Sequence, residues 1–485
     1  MYSRPAAAAG ITLRKCQGGQ AIVITGAFIG RISGSALATM IDRRHKRLRI
    51  LVTSSRRNLM RQRSVPNRAL RRLFSLKASM KPSRNIPKDP DDRSAVLLQT
   101  RNLKMARSAH AFVRGSTARF YEWLDSADGR AVPEGPPIWI CGDCHVGNLG
   151  PVANSDGRIA IQIRDLDQTV IGNPVHDLIR LGLSLAMAAR GSDLPGVTTA
   201  RMLEQMMEGY DAALDDAVDA GDLNDHRPES VRVVLREATS RSWKQLAKER
   251  ITDLRPTIPL GKRFWPLSAE ERHAIQQLFG TERLRRLATS LRSRDDDAAV
   301  EVQDAAYWVK GCSSLGRLRF AVLLAVDKVS RKGSLCLIDV KEAVQAAAPR
   351  HRRIATPRDN AERVVEGARH LSPHLGERML AERLLDRSVF VRELLPQDLK
   401  LEIDSLTREE AMKAARFLAS IVGVAHGRQM DKQTRRKWRA EVSRNASKRL
   451  DAPSWLWSSI VGLVASHEAA YLEHCRRYAL ETETA

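Results

Sequence analysis

Helical periodicity on both sides of one strand-rich block is the feature that most constrains how this chain of 485 residues folds. Apolar residues recur at helical spacing over Leu98 to Leu124, interrupted at Arg114-Gly115, and again over 177–190, 199–217, Val231 to Glu249 and Ala269 to Leu291. From about Tyr307 to Lys341 the pattern changes to apolar strand-like runs, notably Phe320 to Val326 and Leu335 to Val340. Helical spacing then returns at 360–370, 408–426 and 454–478. Two short strands are expected earlier, Ile138 to Ile140 and Ile159 to Ile163, the second after the turn-prone Asn154-Ser155-Asp156-Gly157. No internal repeat is visible, and the order predicts an α+β, two-lobed fold.

Charge divides the chain further. The formal net charge is +24, yet residues 1–88 hold 20 of the 80 Lys and Arg against one acid, Asp42. The rest is close to balance, so residues 1–95 read as a basic, disordered leader carrying Arg43-Arg44-His45-Lys46-Arg47 and Arg71-Arg72. That leader is an arm for nucleic acid or anionic lipid, a solvated tail, or upstream sequence translated from a wrongly assigned start with Met80 as the true one; an Arg-rich, acid-poor stretch also mimics a transit peptide. The expected divisions are 1–95 leader, 96–300 helical large lobe, 301–400 small strand-rich lobe and 401–485 helices returning to the large lobe. No run reaches the roughly 18 apolar residues of a membrane helix. The six cysteines show no disulfide-like spacing, which points to a reducing, cytoplasmic setting.

Chemistry concentrates in Cys141-Gly142-Asp143-Cys144-His145-Val146-Gly147-Asn148, straight after the first strand. Phosphoryl transfer uses an Asp near the acceptor hydroxyl and an Asn as a magnesium ligand, and a short loop aims both into one cleft. Asp165-Leu166-Asp167 ends the next strand, where carboxylates reach a cation bridging phosphates; Mg²⁺ prefers such oxygen ligands. Asp177, at the start of a helix, is placed to cap free N–H groups and brace the loop. His145 reads as a packed structural residue or a metal ligand. The Cys141 and Cys144 pair carries a separate reading, thiol or zinc chemistry.

A second set follows far downstream. Gly311-Cys312-Ser313-Ser314-Leu315-Gly316 lies between strand-like runs, and the run ending at Val340 delivers Lys341. A glycine-containing turn lets backbone N–H groups approach phosphates, and a strand lysine adds a point charge. Glu366, on the helix after that lysine, is the expected partner of Lys341, with Glu362 and Glu342 as competitors. Phe390 to Leu394 reads as a hinge-like strand facing an adenine.

The pattern Gly-Asp-x-His-x-Gly-Asn, then Asp-x-Asp, then Asp-Leu resembles aminoglycoside phosphotransferases and related small-molecule kinases. It is more similar to the bacterial family called domain of unknown function 2252, grouped with protein-kinase-like folds, and the resemblance covers most of 95–480. It implies Asp143 as catalytic base, Asn148 and Asp165 as metal ligands with Asp167 as a second carboxylate, Asp177 as brace, and ATP with Mg²⁺ as cofactors. Arg114-Gly115, Arg392 and Lys400 also match motif positions of that family. Ordinary kinases place the glycine loop and lysine before the catalytic loop; here Asp143 and Asp165 precede Gly311 and Lys341, which implies circular permutation. The expected activity is phosphoryl transfer from ATP to an unknown small-molecule or protein hydroxyl, with nucleotidyl transfer also open. The alternative is a non-catalytic nucleotide-binding module, because Cys141 stands where the phosphotransferase motif usually has His and Ser313 where a fuller loop has Gly.

Overall fold

The structure is a computed structural model. It describes residues 12–15, 22–25, 90–126, 132–191, 194–215, 228–240, 257–312, 314–326, 334–351, 353–398, 407–444 and 452–478. The chain divides into two compact units, Met1–Pro82 and Ser83–Ala485.

Within the first unit, β1 (Thr12–Lys15) and β2 (Ile22–Thr25) pair antiparallel with Thr12 opposite Thr25. The β-branched Ile22-Val23-Ile24-Thr25 favours that extended state, so the leader is not structureless throughout. The basic runs at 43–47 and 71–72 lie outside the described residues, as do Lys400 and 241–249.

The second unit begins with α1 (Pro90–Ala106), inside the expected leader. Arg93 explains the earlier start: it is 2% exposed and its guanidinium donates to both carboxylate oxygens of Glu271, at 2.7 and 3.0 Å. Next come α2 (Ala109–Gly115) and α3 (Thr117–Asp125), separated where the sequence shows Arg114-Gly115. A strand-rich stretch follows: β3 (Ile138–Ile140), β4 (Leu149–Ala153), β5 (Ile159–Ile163) and β6 (Val170–Gly172). These form two small antiparallel sheets, β3 with β6 and β4 with β5. Helices α4 (Val175–Gly191), α5 (Gly196–Ala213) and α6 (Glu229–Ser240) complete the run. The main apolar core lies here and is shared with the helices that follow the large sheet.

The large sheet is antiparallel and six-stranded, built from β7 (Phe264–Trp265), β8 (Val300–Trp308), β9 (Arg319–Val326), β10 (Ser334–Glu342), β11 (Met379–Leu384) and β12 (Arg387–Leu394), in the order β11-β12-β10-β9-β8-β7. Between β7 and β8, the periodic run from Ala269 folds as two helices, α7 (Ala269–Phe279) and α8 (Glu282–Thr289), divided at Gly280-Thr281. Ser268 and Glu271 form a reciprocal capping box that starts α7. Ile275, Leu278, Leu284 and Leu287 pack with Phe320, Val322, Ile338 and Val340 of the sheet, so residues from 264 belong with the strand-rich lobe and not with the helices before them. Helices α9 (Asn360–Leu371) and α10 (Pro373–Gly376) separate β10 from β11, and α11 (Arg408–Gly427), α12 (Lys432–Val442) and α13 (Ser454–Tyr478) close the chain. Among the described residues no helix is long and apolar enough to cross a membrane.

Side chains alternate across a strand, and that period of two gives the sheet unlike faces. Ile338 and Val340 face the apolar core under α7 and α8. On the same strand Asp339 and Lys341 point the other way, beside Arg319, Phe390 and Arg392, with which β10 is in register. One face is oily and the opposite face, at its Lys341 end, is charged.

Candidate functional site

The β4–β5 hairpin builds the first half of the site. Leu149 pairs with Ile163, so Asn148 lies opposite Arg164, whose N–H donates to the Asn148 carbonyl at 2.7 Å. Asp165 is the next residue along. Asn148 ends a single 3₁₀ turn, Val146–Asn148, and its Nδ2 donates back to the Asp143 carbonyl at 2.9 Å. That bond closes the loop, and Asn148 Oδ1 accepts no hydrogen bond among the described residues. His145 is buried; its carbonyl accepts the Asn148 N–H at 2.8 Å, while Nδ1 has no partner. Burial, then the charges of Arg114 and Arg180, hold its imidazole well below the ordinary histidine range, so the ring is neutral.

Asp177 braces the loop from α4. Its carboxylate accepts the Cys141 N–H at 2.7 Å and the Gly142 N–H at 2.9 Å. His426 Nε2 lies 3.2 Å from the same carboxylate, and its Nδ1 is 3.0 Å from the Tyr210 hydroxyl, which accepts from Trp438 Nε1 at 2.9 Å. A neutral imidazole protonated on Nε2 satisfies every contact in that chain. Gly142 itself has φ +73°, and a Cβ there would stand 2.1 Å from the Gln168 carbonyl oxygen, so only glycine fits.

Strand β10 brings Lys341 to this loop from 176 residues away. Lys341 is 2% exposed, and its ammonium lies 3.4 Å from Asp165 Oδ1 and is ion-paired more closely with Asp167. One cation thus faces two carboxylates. Partial desolvation works to raise Asp165, but Lys341, a hydrogen bond with Asp167 and the charges of Arg392 and Arg319 overcome it and hold this carboxyl well below the usual range. Burial and the neighbouring Asp165 charge push Asp167 up to about 6. The pair therefore holds one proton between its carboxyls into mildly acidic solution. Asp165 remains half open to solvent, and Asp167 Oδ1 is buried without a partner.

The expected Glu366 partner for Lys341 is corrected. Glu366 instead pairs with Arg369 and His370 on the outer side of α9. Glu362 is exposed, and Glu342 points to the opposite sheet face, where it binds Arg387. The inner side of α9 carries Arg363, 1% exposed, which donates to the carbonyls of Thr169, Asp167 and Val344. Gly367, one turn on, lets the helix approach: a Cβ would meet Thr169 Cγ2 at 2.4 Å. The helix after the lysine strand thus holds the carboxylate loop by an arginine, and the carboxylates hold the lysine. Arg392 adds a second strut, bonding Asp339 and donating to the Arg164 carbonyl at 2.9 Å.

Asp143 is 8% exposed, and its Oδ1 accepts from Arg180 Nε at 2.8 Å. Arg180 also donates to the Val113 carbonyl, and its remaining terminal nitrogen has no partner. Arg180 had only a helical pattern to show in the sequence, so its place beside Asp143 was not legible; a spacing of three from Asp177 on one helix was the available signal. The glycine turn lies at the Lys341 end of the sheet, since Arg319 pairs with Lys341. Gly311 and Gly316 have φ +98° and +95°, Ser314 is buried against Gly311, and Ser313 lies outside the described residues. Within the turn the N–H groups of Leu315 and Arg317 bond to Cys312 and Ser314 carbonyls.

Cys141 and Cys144 are fully buried free cysteines, the Cys141 thiol facing the Asp165 carbonyl at 3.7 Å, and both thiols are raised above their usual range. Among the described residues no group of three or more His, Cys, Asp or Glu could hold a metal. A structural zinc site takes four such ligands, and the described residues bring no third one to this pair. A magnesium ion fits better: Asn148 Oδ1, Asp165 and Asp167 are all oxygen donors, two of them without a full set of partners, and Mg²⁺ commonly takes only one or two carboxylates and completes its shell with phosphates and water.

No curated protein and no solved structure matches the chain. The sequence model of a bacterial family, described as "uncharacterized protein conserved in bacteria (DUF2252)", matches residues 93–477, from the buried Arg93 to the end of α13, and the chain belongs to that family.

Proposed function

We propose that this protein is an ATP- and Mg²⁺-dependent phosphotransferase of kinase type, acting on a hydroxyl acceptor. The observation that carries the reading is the 3.4 Å approach of Lys341 to Asp165 across 176 residues. That contact brings together the two segments that a phosphoryl-transfer site needs side by side. As in protein kinases, the lysine lies on the third strand counted from the one that enters the glycine turn, and a helix follows it. Because these parts come after the catalytic loop in the chain, the fold is read as a circularly permuted kinase.

In this reading ATP with its magnesium ion supplies the phosphoryl group and departs as ADP, the new bond joining phosphorus to the acceptor oxygen. Asn148, Asp165 and Asp167 hold the cation, and Lys341 contacts the phosphates. Asp143 Oδ2, the oxygen not taken by Arg180, accepts the acceptor's hydroxyl proton. Asp177, Arg363 and Arg392 act through the backbone by fixing the two loops. A second reading, nucleotide binding without turnover, draws on the Asp143–Arg180 pair, which occupies half of the proposed base.

The test is a thermal shift with Mg-ATP, followed by ATP turnover. Wild type should be stabilised only when magnesium is present, and Asp165→Ala should lose the effect. Asp143→Asn should retain nucleotide binding and lose turnover by roughly 10²-fold or more. Absence of magnesium-dependent stabilisation in wild type ends the enzyme reading; binding with no turnover in wild type selects the second.

A further inference from the structure

Next to the cleft lies a cavity of about 500 Å³, a size typical of small-molecule sites, between α1, the α2–α3 junction, α13 and the loop after β10. Its walls carry Arg101, Arg119, Arg317 and Arg477 from four separate segments. None of these four has a carboxylate partner among the described residues. The cavity's one acid, Glu473, is held by Arg476. Four guanidinium groups around one space repel each other, and Glu473 is the single carboxylate among the lining residues that faces them.

Two buried polar atoms at this cavity are also unpartnered. Thr117 is 7% exposed, and its Oγ1 makes no hydrogen bond; Arg101 Nε is buried and equally unpaired. A buried hydroxyl or guanidinium N–H left without a partner is destabilising, and a bound acceptor group relieves that cost. Gln168 links this space to the proposed chemistry. It lines the cavity, follows Asp167 directly, and its carbonyl abuts Gly142 beside Asp143.

We propose that this cavity binds the phosphate or carboxylate group of a small acidic molecule. Arg101, Arg317, Arg119 and Arg477 supply the charge, and Thr117 a hydrogen bond. Its position next to Gln168 makes that molecule the phosphoryl acceptor, an anion that also bears a hydroxyl. The acceptor role rests on the phosphotransferase reading; the anion site stands on its own geometry.

The full chain is titrated calorimetrically with glucose 6-phosphate and with citrate, at fixed ionic strength and without magnesium or nucleotide. Saturable binding of either probe at millimolar concentration is expected. The double variant Arg101→Gln/Arg317→Gln, shown folded by its unfolding transition, should bind at least tenfold more weakly, and Lys341→Met should leave probe binding within twofold. No saturable binding, equal binding by the double variant, or loss of binding in Lys341→Met overturns the proposal; the last would place the probe in the nucleotide cleft. Binding of glucose 6-phosphate but not citrate assigns the site to phosphate, and the reverse assigns it to carboxylate. Probe binding without Mg-ATP stabilisation sinks the phosphotransferase reading and keeps the anion site, whereas Mg-ATP stabilisation without probe binding sinks the anion site alone.

Discussion

Two acid clusters lie on the charged face of the large sheet or against it, and they are built on opposite principles. Around Asp339, one carboxylate meets two guanidinium groups: Arg319 donates at 2.9 and 2.6 Å, and Arg392 at 3.3 and 3.1 Å. Asp339 is fully buried and both of its oxygens are used. Around Lys341, two carboxylates meet one ammonium, and Asp165 stays half exposed. The first cluster is over-neutralised and sealed; the second is short of positive charge and open to the cleft. Burial with full pairing marks a strut, whereas a buried lysine outnumbered by acids beside a cleft marks a place that expects a cation.

Removing the centre of each cluster should expose that difference most strongly. Asp339→Ala leaves Arg319 and Arg392 buried without a counter-ion and should cost about 3–5 kcal/mol in chemical unfolding. Asp165→Ala should change stability by about 1 kcal/mol or less while abolishing magnesium-dependent nucleotide stabilisation. Comparable losses in the two variants would erase the distinction.

A smaller effect is expected from Arg363→Ala. It frees the Asp167 and Thr169 carbonyls, and should destabilise the protein by about 2–3 kcal/mol and weaken Mg-ATP binding, read by unfolding and by titration. Unchanged nucleotide affinity would show that α9 does not position the cleft.

Asp339 in the first cluster and Asp167 in the second should also respond to pH with opposite sign. Burial opposes ionisation of Asp339, but Arg319 and Arg392 hold it well below the usual carboxylate range. Its contribution is therefore present above an unfolded value of about 4 and lost as pH falls below it. Asp167, pushed up to about 6, binds its proton more tightly when folded. Its contribution is full below about pH 4 and declines as pH rises through about 6. Unfolding free energy measured against pH should lose the upper slope in Asp167→Asn and keep the lower one. Magnesium requires the deprotonated pair, so its stabilising effect should grow across the same upper window.

The smallest effect belongs to Glu366→Ala. Its partners Arg369 and His370 are surface groups, so stability should move by less than about 0.5 kcal/mol and nucleotide binding not at all. Loss of Mg-ATP stabilisation in this variant would restore Glu366 as the partner of Lys341.

Much of the fold was readable from local pattern. The strands Ile138–Ile140 and Ile159–Ile163 and the helices at 360–371, 408–427 and 454–478 follow from periodicity and turn residues. The hairpin that joins Asn148 to Asp165 is similarly local, since a turn at Asn154 to Gly157 sets the register. Strand β4 was missed because Leu149-Gly150-Pro151 carries a glycine and a proline, and only pairing with β5 makes it a strand. The single run from Ala269 to Leu291 was read without its break because the Gly280-Thr281 signal is short.

Arg180, Arg363 and Arg392 show where such reading stops. In sequence an arginine on a helix or strand is a surface charge by default. Each here is drawn inward by carbonyls or carboxylates 19 to 228 residues distant, such as Asp143 for Arg180 and the Arg164 carbonyl for Arg392. Amino-acid order carries the local elements and the residue types needed for phosphate chemistry, because turns, caps and strand alternation depend on neighbours within a few positions. Which acid faces Lys341 is a matter of long-range packing: α9 turns Arg363 inward and Glu366 outward, and the ammonium is left to the two carboxylates that the opposite loop presents.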